Sequence, residues 1–288
     1  MPVLPPLASP EELLGLLGDE QLRIFDATVV LSRDVAGGPY VVESGRPGYE
    51  RAHIPGAGFA DIPGELSDPA SPFAFTVPAA EHFAAAIGRL GVADDDHVIA
   101  YSHGPVMWAT RLWWLLRYFG HDAVSVLDGG LAAWQAGGGP VEPGTRSYPP
   151  ASFTARPRAE LLASLADVQE ITEDGSSCLV NALSEEAFRG TGPGAYSRPG
   201  RIPTSVSVPW AGLLDPETGR FQPPDRLASA LAAGGVRTDK PVVAYCGGGI
   251  SATVDLFALS LTGRDDARLY DGSLTEWSAD PALPLVTG

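Results

Sequence analysis

The chain repeats itself, and the repeat limits what it can fold into. VIAYSHGPVMWATRLWWLLRYFG (98–120) parallels VVAYCGGGISATVDLFALSLTG (242–263), and SVLDGGLAAW (125–134) parallels RLYDGSLTEW (268–277). Upstream, IFDAT (24–28) parallels LVNAL (179–183), and ERAHIPGAGFADI (50–62) parallels RPGRIPTSVSVPW (198–210). The four blocks keep the same order in both halves, with nearly constant separation. Similarity on this scale means a duplicated domain of roughly 130 residues, the size of an ordinary folding unit, and not a solenoid of short repeats.

Within each half, β-rich runs alternate with helix-patterned ones. RIFDATVVL, HVIAYS and VSVLD, then CLVNAL, PVVAYC and ARLYD, are short apolar runs. Between them lie PEELLGLLG, AAEHFAAAIGRLG, the tryptophan-rich segment and PDRLASALAAGG, all with helical spacing. Continuous apolar strands separated by helices predict an α/β fold, each half a parallel sheet flanked by helices. The stretch from Gly137 to Pro157 is rich in Gly and Pro and lacks periodicity. The expected division is therefore an N-terminal domain over 1–140, a linker over 141–158 and a C-terminal domain over 159–288.

Composition removes several classes of function. At 44% hydrophobic and 19% charged residues the chain has the makings of real cores, which argues against disorder. A net charge of −16 leaves no surplus of cations for nucleic acid or an anionic membrane. The N-terminal MPVLPPLASPEELL has no basic segment followed by an apolar core, as a signal peptide would. The most apolar stretch, VMWATRLWWLLRYF, is broken by Arg111 and Arg117 and is too short to span a bilayer. The two cysteines, Cys178 and Cys246, stand too far apart for a disulfide framework or a metal cluster. A cytoplasmic protein with reduced thiols, without cofactor or metal, is the expected setting.

One loop carries a chemical signature. PVVAY reads as a buried strand, ISATVDLFALSL as the following helix, and CGGGIS joins them. Cys246 thus falls at the carboxyl end of a strand, where open α/β sheets bind ligands. Gly247, Gly248 and Gly249 tolerate positive φ and leave their amides unshielded. Successive free N–H groups at a helix start form an anion site that favours a thiolate or persulfide. Ser251 adds a hydroxyl donor or an N-cap. The competing reading is a small buried hydrophobe beside a flexible turn. The twin loop, YSHGPVMWAT, has Ser102 where the other has Cys246, and Pro105, which lacks an amide, where the other has Gly249. One half keeps the chemistry and the other has lost it.

The blocks HIPGA, LWWLLRYFGHDAVSVLDGGLAAW, AYCGGGIS and YDGSLTEW resemble the two-domain rhodaneses, the thiosulfate and 3-mercaptopyruvate sulfurtransferases, over nearly the whole chain. The resemblance implies tandem rhodanese-like domains, the first catalytically inactive. It also implies that Cys246 accepts sulfane sulfur as a persulfide, in a cradle of Gly247, Gly248, Gly249, Ile250 and Ser251. The expected partners are a small anionic donor and a thiol, cyanide or thioredoxin-like acceptor. A carrier of persulfide with little small-molecule turnover is the alternative. Related phosphatases place an Arg six residues after the cysteine; here that position is Ala252, so the guanidinium clamp for phosphate is missing.

CGGGIS has no cation to meet thiosulfate and is closer to the mercaptopyruvate loops. Four positions depart from that pattern. The family serine two places after the cysteine is Gly248, and the relay histidine is Phe75, leaving only Asp61 of a Ser–His–Asp set. The two substrate arginines fall on Ala187 and Tyr196. Arg189, Arg198 and Arg201 stand nearby, either as replacement carboxylate ligands or as solvated loop residues. Trp108, Trp113 and Trp114 read as core or domain interface, Cys178 as an inert thiol, and His53 as part of a structural turn. His82, His97 and His121 are expected on helix or loop surfaces, and His103 in the inactive loop.

Overall fold

The computed structural model describes residues 4–32, 40–192 and 196–288. The first half contains β1 (Leu7–Ala8), α1 (Pro10–Leu14), β2 (Leu22–Asp26), β3 (Val29–Ser32), β4 (Val41–Ser44) and α2 (Arg46–Arg51). It continues with β5 (Gly58–Phe59), α3 (Ala80–Arg89), β6 (His97–Tyr101), α4 (Met107–Tyr118), β7 (Val124–Leu127) and α5 (Gly130–Ala136). The second half contains β8 (Leu162–Ala163), α6 (Leu165–Asp174), β9 (Cys178–Asn181), α7 (Glu185–Arg189) and β10 (Val206–Ser207). It ends with α8 (Pro224–Ala233), β11 (Val242–Tyr245), α9 (Ala252–Leu261), β12 (Arg268–Tyr270) and α10 (Ser273–Ala279).

Each half builds a five-stranded, wholly parallel sheet. The orders are β1-β7-β6-β2-β5 and β8-β12-β11-β9-β10, the same path laid down twice. The central strands β6 and β11 are buried at every residue, as continuous apolar runs covered on both faces must be. Duplication extends to single hydrogen bonds. The hydroxyls of Tyr101 and Tyr245, at the ends of these strands, accept the amides of Ile54 and Ile202 in the HIP and RIP turns. Trp134 and Trp277 donate their indole N–H to Pro140 and Pro284 carbonyls.

The halves meet through α4 and α9, which are apolar on nearly every face and buried accordingly. Thr110 and Thr253, equivalent in the repeat, share a hydrogen bond of 2.8 Å across the interface. Trp113 packs edge-on against Phe257, with ring centroids 4.8 Å apart. The Gly/Pro-rich stretch after α5 is strapped along the first half. Glu142 pairs its backbone with His53, the Tyr148 hydroxyl accepts the Ile24 amide, and the Ala151 and Arg156 amides donate to the Gly88 and Phe119 carbonyls. The run RIFDATVVL is divided: β2 enters the sheet, while β3 pairs with β4 as a separate antiparallel hairpin.

Two expectations about histidines fail. His97 and His121 are buried, not on the surface. His97 opens β6 with its ring against Ser125 Oγ at 2.8 Å, and burial pulls its pKa down to about 4, so it packs as a neutral ring. His53 and Cys178 are buried in turn and strand, and all three tryptophans of α4 lie in the core.

Candidate active site

Cys246 follows directly on β11 and is 2% exposed. Its loop is fixed by the way each peptide plane is held. The Cys246 carbonyl accepts the amide of Leu274 at 3.1 Å, and the Gly247 carbonyl accepts both the amide and hydroxyl of Thr275. The Gly249 carbonyl accepts Nη1 of Arg111 at 3.1 Å. In a trans peptide the N–H points opposite to the C=O. Tying these carbonyls back therefore turns the amides of Gly247, Gly248 and Ile250 the other way. Among the described residues, no protein group accepts from the amides of Gly247, Gly248, Ile250 or Ser251. Ser251 sits at the N-cap of α9, but its side chain makes no capping bond.

Gly249 differs from its neighbours: its amide donates to Ser273 Oγ at 3.2 Å, as does that of Cys246 at 3.0 Å. Ser273 is the residue the sequence reading missed. It opens α10 at φ 51, a left-handed conformation unusual for a non-glycine residue, and passes its own proton to the Tyr270 carbonyl. Its twin in the first half is Gly130, at φ 56. The contrast between DGS and DGG in the two repeats was the signal available.

Glycine is required at Gly249, needs a shift of Tyr196 to be replaced at Gly247, and is not demanded at Gly248. A Cβ on Gly249, at φ 72, would overlap Asp271, and one on Gly247 would overlap the Tyr196 hydroxyl. At Gly248, where a serine was expected, a Cβ would meet nothing nearer than Thr275 Oγ1 at 3.8 Å and the Ala74 carbonyl at 3.9 Å. Space for the serine exists, but the side chain is absent.

The first half supplies a wall to this loop. Besides Ala74, the Val77 amide donates to Asp271 Oδ2 at 2.8 Å, and the Phe75 carbonyl accepts Arg111 Nη2. Phe75 stands at φ 65 and its ring packs on Trp108, so the position of a relay histidine is occupied by a docking residue. Asp61 accepts the Gly64 amide and organises its own turn, with no bond to the cysteine loop.

The three arginines go elsewhere. Arg198 donates to the carbonyls of Trp277, Ser278, Asp280 and Leu283. Arg201 donates to Gly288 and Phe188 carbonyls and lies over the Phe188 ring, bracing the C-terminus as His53 braces Glu142 in the other half. Arg189 is exposed and pairs with Glu185 at 3.4 Å. Among the described residues no hydrogen bond or ion pair joins any of them to residues 246–251. Ala187 lies in α7, and Tyr196 covers Gly247.

Asp255 on α9 is wholly buried, and neither carboxylate oxygen has a hydrogen-bond partner. Burial, with the neighbouring Cys246, holds its carboxyl well above the usual range, so it is a neutral acid beneath the loop. In the Ser102 loop two donors are spent internally. Ser102 Oγ donates to the Pro105 carbonyl at 3.0 Å and the His103 amide to Thr28 Oγ1, while His103 pairs with buried Asp26 at 2.7 Å.

No cluster of metal-ligating side chains exists among the described residues, and no helix there is long and apolar enough to cross a membrane. The rhodanese-like domain model matches the chain twice, over residues 9–137 and 164–280. The 3-mercaptopyruvate sulfurtransferase of Escherichia coli K12 is 37% identical over 82% of the chain and 84% of its own length. The human enzyme of the same name is 36% identical over 93% of the chain and 88% of its own length. The crystal structure of SseA, the 3-mercaptopyruvate sulfotransferase of Escherichia coli, superposes with a TM-score of 0.81 at 33% identity, covering 93% of this chain and 98% of that one.

Proposed function

The chain belongs to the rhodanese family as a tandem-domain sulfurtransferase, and from that premise we propose that Cys246 carries sulfur as a persulfide. The observation that carries the proposal is the loop itself: one buried thiol among four amides whose carbonyls are tied back. Of the five cradle residues, Gly247, Gly248, Ile250 and Ser251 offer an amide, and Gly249 contributes the turn. The domain division into 1–140, 141–158 and 159–288 fits this assignment of one silent and one catalytic half. A cytoplasmic setting fits two reduced thiols.

3-Mercaptopyruvate is the favoured donor, since the relatives carry that name and the loop has no side-chain cation for thiosulfate. The Cys246 thiolate attacks the donor sulfur. The S–S bond forms, the C–S bond breaks, and its electron pair leaves as the enolate of pyruvate. The proton carried over on the outer sulfur then passes to the enolate carbon, leaving a persulfide anion held by the amides. No Ser–His relay is needed for that balance, in keeping with Gly248 and Phe75. A thiol, cyanide or thioredoxin-like acceptor attacks the outer sulfur and restores the thiolate. The donor carboxylate is left to backbone amides, Tyr196 and the exposed Arg189, while the bonds of Arg198 and Arg201 favour a bracing role.

Intact mass after incubation with 3-mercaptopyruvate should show the gain of one sulfur, lost in Cys246→Ser and removed by thiol or cyanide. Absence of an adduct with both mercaptopyruvate and thiosulfate would overturn the proposal. A second reading, a persulfide carrier for a protein acceptor, is favoured by Ala187 and Tyr196 at the arginine positions. A persulfide that forms but turns over negligibly on free thiols would select it.

A further inference from the structure

The two halves grip each other through equivalent contacts, and only one contact has an arginine paired to its carboxylate. In the silent half Asp128 accepts the Phe221 amide at 2.9 Å; in the catalytic half its twin Asp271 accepts the Val77 amide at 2.8 Å. Both join the domains. Among the described residues no ion pair reaches Asp128; burial raises its pKa, with Arg220 near enough to oppose the rise without pairing. Asp271 instead pairs with Arg111 of α4 at 2.7 Å. The repeat equivalent of Arg111 on α9 is Val254.

Arg111 is wholly buried and does more than pair. Its guanidinium also holds the carbonyls of Gly249 and Phe75. The Gly249 carbonyl shares a peptide plane with the Ile250 amide, one of the four left open in the loop. The planes after Cys246 and Gly247 are held by the first turn of α10, within the catalytic half. The plane after Gly249 is held from the other half.

We propose that Arg111, in the catalytically silent half, is a positioning residue for the sulfur-transfer loop, aiming the Ile250 amide by anchoring the Gly249 carbonyl. The inference rests on reading Cys246 as the sulfur acceptor. It gives the silent half a task in the reaction: it supplies an anchor that the catalytic half lacks. An interface alone does not call for a buried ion pair, because the twin contact at Asp128 forms with Arg220 near the carboxyl but not paired to it.

The test uses the full chain with Arg111→Met, Arg111→Lys, the double variant Arg111→Met/Asp271→Asn, and Asp128→Asn. Three quantities are read: kcat and KM with 3-mercaptopyruvate, the rate of Cys246 alkylation by iodoacetamide at neutral pH, and the thermal midpoint. Arg111→Met leaves a buried carboxylate unpaired; if it does not fold, the double variant, with both charges removed, carries the test. The folded variants should lose roughly ten- to hundredfold in kcat, since small misplacements of a catalytic group cost that much, and alkylate more slowly. KM should stay within about threefold, and Arg111→Lys should recover part of kcat. Asp128→Asn should lower the midpoint and keep kcat. A folded double variant with the kcat and alkylation rate of the parent overturns the inference. So does Asp128→Asn with an equal loss of kcat, which would make interface integrity the cause. If the parent forms no persulfide, the functional proposal fails, and the alkylation rates alone decide for or against Arg111.

Discussion

Asp255 and Leu112 occupy the same place in the two repeats, and both are buried. A carboxyl has replaced a leucine without gaining a hydrogen-bond partner. Such a group folds only as the neutral acid. Its pKa is raised well above 3.8 in the folded chain, so above that value the native state binds the proton that the unfolded state has released. The stability tied to this group is complete below pH 3.8 and declines as pH rises toward the folded pKa. Asp255→Asn keeps the shape and removes the titration. Its thermal midpoint, relative to the parent, should be more favourable at pH 8 than at pH 4. A difference independent of pH, read by thermal denaturation at both values, would mean that Asp255 ionises in the native state as readily as in the unfolded chain.

Among the elements, the first turn of α10 decides the form of the cysteine loop. Leu274 and Thr275 fix two carbonyls, and Ser273 Oγ gathers two amides. Holding serine at φ 51 costs about 1 kcal/mol or more, which glycine would not incur. The silent half, with Gly130 there, does not carry that strain by a side chain. Ser273→Gly relieves that strain but leaves the buried Cys246 and Gly249 amides without their common acceptor, the larger effect, so the thermal midpoint should fall and kcat should drop roughly tenfold. Unchanged kcat in a folded Ser273→Gly protein would show that the loop keeps its form without the hydroxyl. Strain retained beside the cysteine loop and relieved in the other half is what the proposed function would predict.

At the scale of the molecule the duplicated halves are not two independent bodies. One hydrophobic core runs from Phe25 and Val98 of the first sheet through α4 and α9 to Val242 and Leu269 of the second. Two smaller cores cover the outer faces, one per half. Unfolding either half exposes the shared core, so calorimetry should record a single transition whose calorimetric and van't Hoff enthalpies agree. Two resolved transitions would mean that the interface contributes little to either half.

The repeat, the alternation of apolar strands with helices, and the strand–Cys–Gly–helix loop were legible because they depend on local pattern, which the chain carries residue by residue. The parallel sheets, the place of Cys246 at the end of a strand, and the buried tryptophans followed from that pattern. Gly248 and Phe75 could be named as departures, but not what takes up their space. His97 and His121 were misplaced because a polar residue beside a turn reads as exposed until its packing partners are known. Arg198 and Arg201 were candidate ligands by proximity in sequence, whereas the C-terminal carbonyls that engage them lie about 80 positions away or more. Arg111 looked like an interruption in an apolar helix; its meaning depends on Asp271 and Gly249, contributed by the other half. By itself the sequence determined that there is one cysteine loop with bare glycines and one copy with Ser102 in place of the cysteine. Only the tertiary structure decided which amides remain open, because the carbonyls that orient them are held by side chains and amides distant in the chain.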